Sequence, residues 1–300
     1  MRIAGHTLGT PEQTVPEALS LFSAAGLDAA EVIYQDDYRC GLPTRDRRAA
    51  EQARRASDDT GIPIIGLTPY TTGINDLDDG PWQTAVDEFR GAIEVAQIVG
   101  ADRVRVYAGS WHPGDHDHAA HWGRLVDALY ALAPEASAAG VRLCVENHFG
   151  TMTQSAAETA RLVREVGHDA VRVLYDQANL TFAHDESYDE ALRLQGDLIG
   201  HVHVKDLVFT DPDAPFRATE TARVSASERA VRSRVVGDGV VPWADILPAL
   251  ATLGYDDVLS LEYEYRWHPA DLPEPTIGFA RAALAVRGIL SNTAVADGAR

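Results

Sequence analysis

The feature that most restricts how this chain can fold is a strand-then-helix alternation repeated eight times along its 300 residues. Short runs rich in apolar and β-branched residues read as strands at 2–8, 28–34, 62–70, 103–108, 141–148, 171–176, 199–205 and 258–264. Between them lie stretches of helical periodicity. Gly26, Gly61, Gly100, Gly140, Gly167 and Gly254 stand where those helices should stop, and Thr14-x-x-Glu17, Ser155-x-x-Glu158 and Ser187-x-x-Glu190 read as capping boxes that start them. Parallel strands need a crossover, usually a helix, so the alternation predicts a parallel sheet. Eight units favour closure into a (β/α)8 TIM barrel over an open doubly wound sheet. Gly5-His-Thr-Leu-Gly9 is also a poor match to the glycine-rich turn that an open sheet would place after its first strand. The expected organisation is one barrel over residues 1–290 and a flexible tail over 291–300.

One connection breaks the rhythm. More than thirty residues separate Asp206 from Val241, and the segment 207–240 contains Pro212, Pro215 and five arginines between Arg217 and Arg234. Loops beyond about 12–15 residues usually serve a function or lack structure. This one, with Ser225-x-x-Glu228 able to cap a short helix, is read as a lid or partner-docking surface over the seventh strand.

Composition removes several classes of function. A formal charge of −19 and a pI near 4.8 oppose binding to nucleic acid or to an anionic membrane surface. Cys40 and Cys144 are too few for a disulfide framework, and the first residues run into a strand without an apolar signal core. With no apolar run of the roughly eighteen residues a membrane span needs, the expectation is a soluble, cytoplasmic protein.

In a barrel, catalytic groups gather at the carboxyl ends of the strands. Four consecutive strands end in Glu146, Asp176, His203 and Glu262. Buried carboxylates without partners are costly to ionise, so three of them converging on a histidine call for a cation. Three carboxylate oxygens and an imidazole nitrogen suit one divalent metal ion, Mn2+ first, with Mg2+, Co2+ or Zn2+ as options. Taken singly, each acid has a plainer explanation, such as pairing with Arg105 or Arg172; taken together they favour the metal. The strand carrying His203 adds His201 and Lys205 on the same face, because side chains alternate with period two. Lys205 is the only lysine in the chain, which suggests that a compact ammonium is wanted there.

Glu146-Asn-His148, Asp176-x-x-Asn179, His201-Val-His-Val-Lys-Asp206, Val236-Gly-Asp-Gly239 followed by Pro242-Trp243, and Ser260-Leu-Glu262 together resemble the xylose isomerase-like TIM-barrel family. That family includes sugar phosphate isomerases and epimerases, ketose 3-epimerases and inosose-processing enzymes, and is related to endonuclease IV. The resemblance implies that Glu146, Asp176, His203 and Glu262 bind one divalent metal. Asn179 stands where the ketose 3-epimerases have a substrate-contacting histidine, and where endonuclease IV has a zinc ligand.

The function expected is abstraction of a proton next to a metal-chelated carbonyl of a sugar or sugar-derived substrate, as in an isomerase or epimerase. Glu146 and Glu262 would address opposite faces of the substrate. His148 is the best base that is not a ligand, and Lys205 and Arg105 would steady a developing oxyanion. His6, Tyr107, Trp111, His112, Asn179, His201 and Trp267 join Arg105 as candidate substrate contacts. A second reading keeps the proton abstraction but ends in β-elimination. The catalytic subunits of C-glycoside deglycosidases resemble this family, act on 3-oxo-glycosides and pair with a small β-sandwich subunit. A third is a sugar-binding protein without catalysis. The partners expected are a small sugar or glycoside and other subunits of an oligomer, with no nucleic acid and no membrane.

Overall fold

The computed structural model describes residues 1–112, 114–184, 186–211 and 229–298, with no side-chain detail at 183–184 and 293–298. Eight strands close into a parallel barrel: β1 (Arg2–His6), β2 (Ala29–Tyr34), β4 (Ile64–Pro69), β5 (Arg103–Val106), β6 (Arg142–Glu146), β7 (Val171–Asp176), β8 (Ile199–Val204) and β11 (Val258–Leu261). The order around the barrel is β1, β11, β8, β7, β6, β5, β4, β2, and parallel pairing of β1 with β2 closes it. A two-residue strand, β3 (Gly41–Leu42), pairs in parallel with the end of β2.

The helices form the outer layer: α1 (Val15–Ala24), α2 (Arg47–Thr60), α3 (Asp79–Val99), α4 (His118–Ala138), α5 (Ala156–Val166), α6 (Gln177–His184), α7 (Tyr188–Gln195), α8 (Trp243–Thr252) and α9 (Pro275–Gly298). Capping boxes at Thr14/Glu17 and Ser155/Glu158 open α1 and α5 as expected. Ser187 stands before α7 but makes no capping bond, because its hydroxyl interacts with Asp189 instead. The last helix runs on to Gly298, so the expected tail is helical through that residue.

Period-two alternation sorts the strand side chains. Val104 and Val106, Leu143 and Val145, Val173 and Tyr175, and Val202 and Val204 join the main apolar core against the helices. Each buried apolar side chain of this size contributes roughly 1.5–3 kcal/mol. The alternate positions turn into the barrel, and these carry Arg103, Arg105, Glu146, Asp176, His201 and His203, all buried. The fold therefore encloses its polar groups in one shaft.

The anomalous connection begins and ends as a two-stranded antiparallel ribbon, β9 (Asp206–Phe209) with β10 (Val231–Arg234). Ser225-x-x-Glu228 lies outside the described residues. The ribbon is anchored by Arg229, whose guanidinium lies 2.9 Å from the buried Asp271 carboxylate. No helix among the described residues is long and apolar enough to cross a membrane. Cys40 and Cys144 are free and buried.

Candidate metal centre

Register brings the acids of adjacent strands together. Asp176, the last residue of β7, sits beside His203 of β8; His203 in turn is level with Ser260, two residues before Glu262. Glu146 ends β6 next door. One ligand atom from each of Glu146, Asp176, His203 and Glu262 lies within 4.8 Å of all the others, and all four residues are buried.

The donor set fits a divalent ion on three counts. It offers three carboxylates and one imidazole, a hard, mostly oxygen set. Among the described residues, His203 Nδ1 has no hydrogen-bond partner, and Asp176 Oδ2 has none beyond its ion pair with Lys205. His203 Nδ1 instead faces carboxylates, 3.7 Å from Glu146 Oε1 and 3.6 Å from Glu262 Oε2. The charges show the same deficit. Burial drives Asp176 up to about 7, and the neighbouring carboxylates add to the shift although Lys205 opposes it. Burial works against a charged His203, but Glu31, Glu262 and Glu146 outweigh it and hold that imidazole well above its ordinary value.

Two fixed cations share the acids. Lys205 Nζ lies 2.7 Å from Glu262 Oε2, 3.1 Å from Asp176 Oδ2 and 3.6 Å from Glu264 Oε1. Arg105 Nη1 lies 3.4 Å from Glu146 Oε2, while its Nη2 donates to Pro69 O. The Arg105 guanidinium also packs on the Tyr70 and Tyr107 rings, 4.4 and 4.1 Å from their centroids, in the corner the two tilted rings make. The plain pairing of Glu146 with Arg105 therefore exists, but it uses one oxygen only. Arg172 turns away and donates to Asp197 O.

His148 Nδ1 lies 2.6 Å from Phe149 O. A carbonyl can only accept, so Nδ1 carries the proton and Nε2 keeps its lone pair, with Tyr107 Oη at 3.4 Å as donor. Burial lowers this imidazole's basicity, though Glu146 opposes the shift, so it rests neutral.

The expected substrate contacts occupy different surroundings. His6 is enclosed; its Nδ1 accepts from Leu8 N and its Nε2 meets Thr68 Oγ1, which leaves no polar atom for a sugar. His201 is held inside the barrel between Arg103 and Glu31. Asn179 is buried and braces the site from behind: its Nδ2 donates to Glu146 Oε1 and Asn147 O. Trp111 packs against His118 and His121, and the exposed His112 reaches Ser110. Trp267 is exposed, with Arg266 over its ring.

The sequence reading missed Glu31 and Glu264. Glu31 Oε2 accepts from His203 Nε2 at 3.0 Å, turning Nδ1 toward the carboxylates, the arrangement that orients a metal-binding histidine. A single glutamate inside Ala29-Ala-Glu31-Val-Ile was its only sequence signal. Glu264 accepts from Ser233 Oγ, which also meets His268 Nδ1, so the ribbon strand β10 touches the group that borders Lys205.

Similarities to known proteins join this geometry. Inosose dehydratase of Geobacillus thermodenitrificans is 31% identical over 143 residues, so the match spans 48% of this chain and 47% of that protein, about half of each. D-psicose 3-epimerase of Agrobacterium fabrum is 27% identical over 222 residues, covering 70% of this chain and 67% of that one. Among solved structures, the IOLI protein with a bound zinc atom shares the fold, with a TM-score of 0.76 over 98% of this chain and 99% of that one at 18% identity. The family described as xylose isomerase-like TIM barrel matches residues 19–283, from α1 to α9, with all four candidate ligands inside the match. The chain belongs to the xylose isomerase-like TIM-barrel family.

Proposed function

We propose that this protein is a divalent-metal-dependent enzyme that abstracts a proton beside the carbonyl of a sugar or sugar-derived substrate, as an isomerase or epimerase. The observation that carries the reading is the convergence of Glu146, Asp176, His203 and Glu262, with ligand atoms within 4.8 Å of one another. Similarity to D-psicose 3-epimerase supports it. Those four residues would hold the ion, with Mn2+ the best match to a set of mainly oxygen donors. The chemistry a divalent ion supplies there is polarisation of a carbonyl, which acidifies the neighbouring C–H.

The chain's own residues do the rest. Glu146 and Glu262 leave strands β6 and β11, three places apart around the barrel, so they approach a bound substrate from different sides. Arg105 and Asn179 hold the Glu146 carboxylate, and Lys205 and His203 flank that of Glu262. When a substrate oxygen draws Lys205 toward itself, Glu262 loses its closest cation and becomes a stronger base. Tyr107 and Arg105 present donors at the same end of the barrel, where a developing oxyanion would need them.

A second reading, a lyase that follows the same proton abstraction with β-elimination, is favoured by His148. Its Nε2 keeps its lone pair, held among the described residues only by a long 3.4 Å contact to the Tyr107 hydroxyl, and His148 is not among the candidate ligands. Similarity to inosose dehydratase also supports it, and a C–O or C–C cleaving C-glycoside deglycosidase that works with a small β-sandwich subunit is its fuller form. Incubation in heavy water with Mn2+ and ketohexoses, inososes or 3-oxo-glycosides tests both readings. Deuterium at the carbon next to the carbonyl without bond cleavage supports the isomerase. An unsaturated product supports the lyase, and no exchange or turnover with any divalent ion counts against both.

A further inference from the structure

Arg103 is a fully enclosed arginine at the opposite end of the barrel from the carboxylate cluster. A buried guanidinium is costly unless every donor is used. Its Nε and Nη2 are used by Asp102 and Asp257, at 2.7 and 3.0 Å, and Arg142 crosses the same two carboxylates. Nη1 does something different: it lies 3.1 Å from His201 Nδ1. A guanidinium cannot accept a hydrogen bond, so His201 Nδ1 must be the acceptor and the neutral ring carries its proton on Nε2. That Nε2 stands 3.2 Å from Glu31 Oε1, while the other oxygen of Glu31 takes the proton of His203 Nε2. The chain Arg103–His201–Glu31–His203 thus runs up the shaft, with hydrogen bonds at its two ends and a 3.2 Å ion-pair contact between His201 and Glu31 in the middle.

The backbone is shaped for it. Glu31, Gly66 and Arg103 are register neighbours on β2, β4 and β5. A Cβ on Gly66 would stand 3.0 Å from Arg103 Cγ and 3.3 Å from Glu31 Cγ, so the missing side chain is what lets the two approach.

We infer that Arg103 is a positioning residue for the metal centre: acting through His201 and Glu31, it fixes the tautomer and direction in which His203 offers Nδ1. The inference rests on the metal-centre reading. It uses neither a substrate nor turnover, so the two can fail separately.

Two measurements test it. The first is long-range 15N–1H spectroscopy of the unmodified protein, which needs no variant to fold. At neutral pH, His201 is expected as the Nε2–H tautomer; an Nδ1–H tautomer overturns the proposal. The second is titration with Co2+ alone, followed by its visible absorption. Arg103→Met and Glu31→Gln should each weaken Co2+ binding about 10- to 100-fold, the usual effect of removing a residue that holds a ligand, and shift the absorption bands. Unchanged affinity and spectrum in a folded Arg103→Met protein would make Arg103 a plug of the barrel and overturn the proposal. If the unmodified protein binds no Co2+, the metal-centre reading fails first and takes this inference with it.

Discussion

The ammonium of Lys205 lies 2.7 Å from the carboxylate of Glu262 and bridges on to Asp176 at 3.1 Å, so the one lysine of the chain stands among the acids that would hold a metal. Lys205 and a divalent ion therefore draw on the same oxygens. In the metal-free protein the ammonium is a partial stand-in for the missing charge. Removing one partner of a buried pair leaves the other charge uncompensated, at a cost of about 3–5 kcal/mol. Lys205→Met should lower the unfolding temperature markedly in chelator, and Mn2+ should restore more stability to this variant than to the unmodified protein. Equal stabilisation of both by Mn2+ would show that the ion and the ammonium do not share these carboxylates.

Metal binding should release protons. His203, held well above its ordinary value, and Asp176, pushed up to about 7, both carry protons in the metal-free protein below neutrality. Both must give them up to become ligands. Apparent affinity should therefore fall as pH drops below about 7, and calorimetry in buffers of different ionisation heat should detect more proton release at pH 6 than at pH 8. The same shift in Asp176 affects stability with a definite sign. Between its unfolded value, near 4, and about 7 the folded state binds the extra proton, so this group's contribution to metal-free stability declines as pH rises through that window. A pH-independent affinity between 5.5 and 8 would contradict the assignment.

Asp206 is the clamp beneath Lys205. Its carboxylate accepts from the backbone N–H groups of Leu207, Gly237, Gly239 and Val241, and Trp243 Nε1 donates to the Lys205 carbonyl. Leaving a buried donor without an acceptor costs about 1–3 kcal/mol. Asp206→Ala orphans four, some of which water can reach, so about 3 kcal/mol or more of stability should be lost in thermal or denaturant unfolding. Gly239→Ala should act on the same clamp, since its Cβ would stand 2.1 Å from Asp206 Oδ1 and 2.5 Å from Leu207 O. A Gly239→Ala protein as stable as the original would show that the loop can move aside freely.

The barrel was readable because its strands and helices obey local rules: alternation, capping and glycine stops. The strand-end acids were readable for the same reason, since Glu146, Asp176 and Glu262 each close an apolar run. What the sequence hid lies in depth along the shaft. His201 and His203 share a face, but two residues along a strand is a displacement of about 6.6 Å. That separation puts one ring at the carboxylates and the other a layer deeper, against Arg103 and Glu31. His6 ends its strand as a site residue would, yet the turn Thr7–Gly9 folds the Leu8 N–H back onto it. Glu31 is separated by more than 100 residues from every group it serves, so nothing local marks it.

Asn179 separates bracing from substrate contact. Its Nδ2 holds Glu146 Oε1 and Asn147 O, and its backbone N–H holds Asp176 Oδ1. Asn179→Ala removes the side-chain bonds and leaves the backbone one. Because Glu146 loses a donor, Mn2+ affinity should fall about 10-fold, as is usual when a residue behind a ligand is removed. A raised KM with unchanged metal affinity would instead mean that Asn179 reaches the substrate.

His148→Ala discriminates between the two chemical readings. The neutral ring has Nδ1–H on Phe149 O, and among the described residues the Tyr107 hydroxyl meets its Nε2 lone pair, at a long 3.4 Å. That nitrogen can take a proton. If it serves as the base of a β-elimination, the substitution should cut kcat by about 100- to 10,000-fold, the usual range for a lost general base, and leave Mn2+ affinity unchanged because His148 is not a ligand. If Glu146 and Glu262 move the proton between the two faces of a sugar, His148→Ala should retain most of its deuterium exchange, and Glu262→Gln should lose both exchange and metal. Loss of exchange in His148→Ala at full metal occupancy decides for the imidazole. Retention decides for the carboxylates.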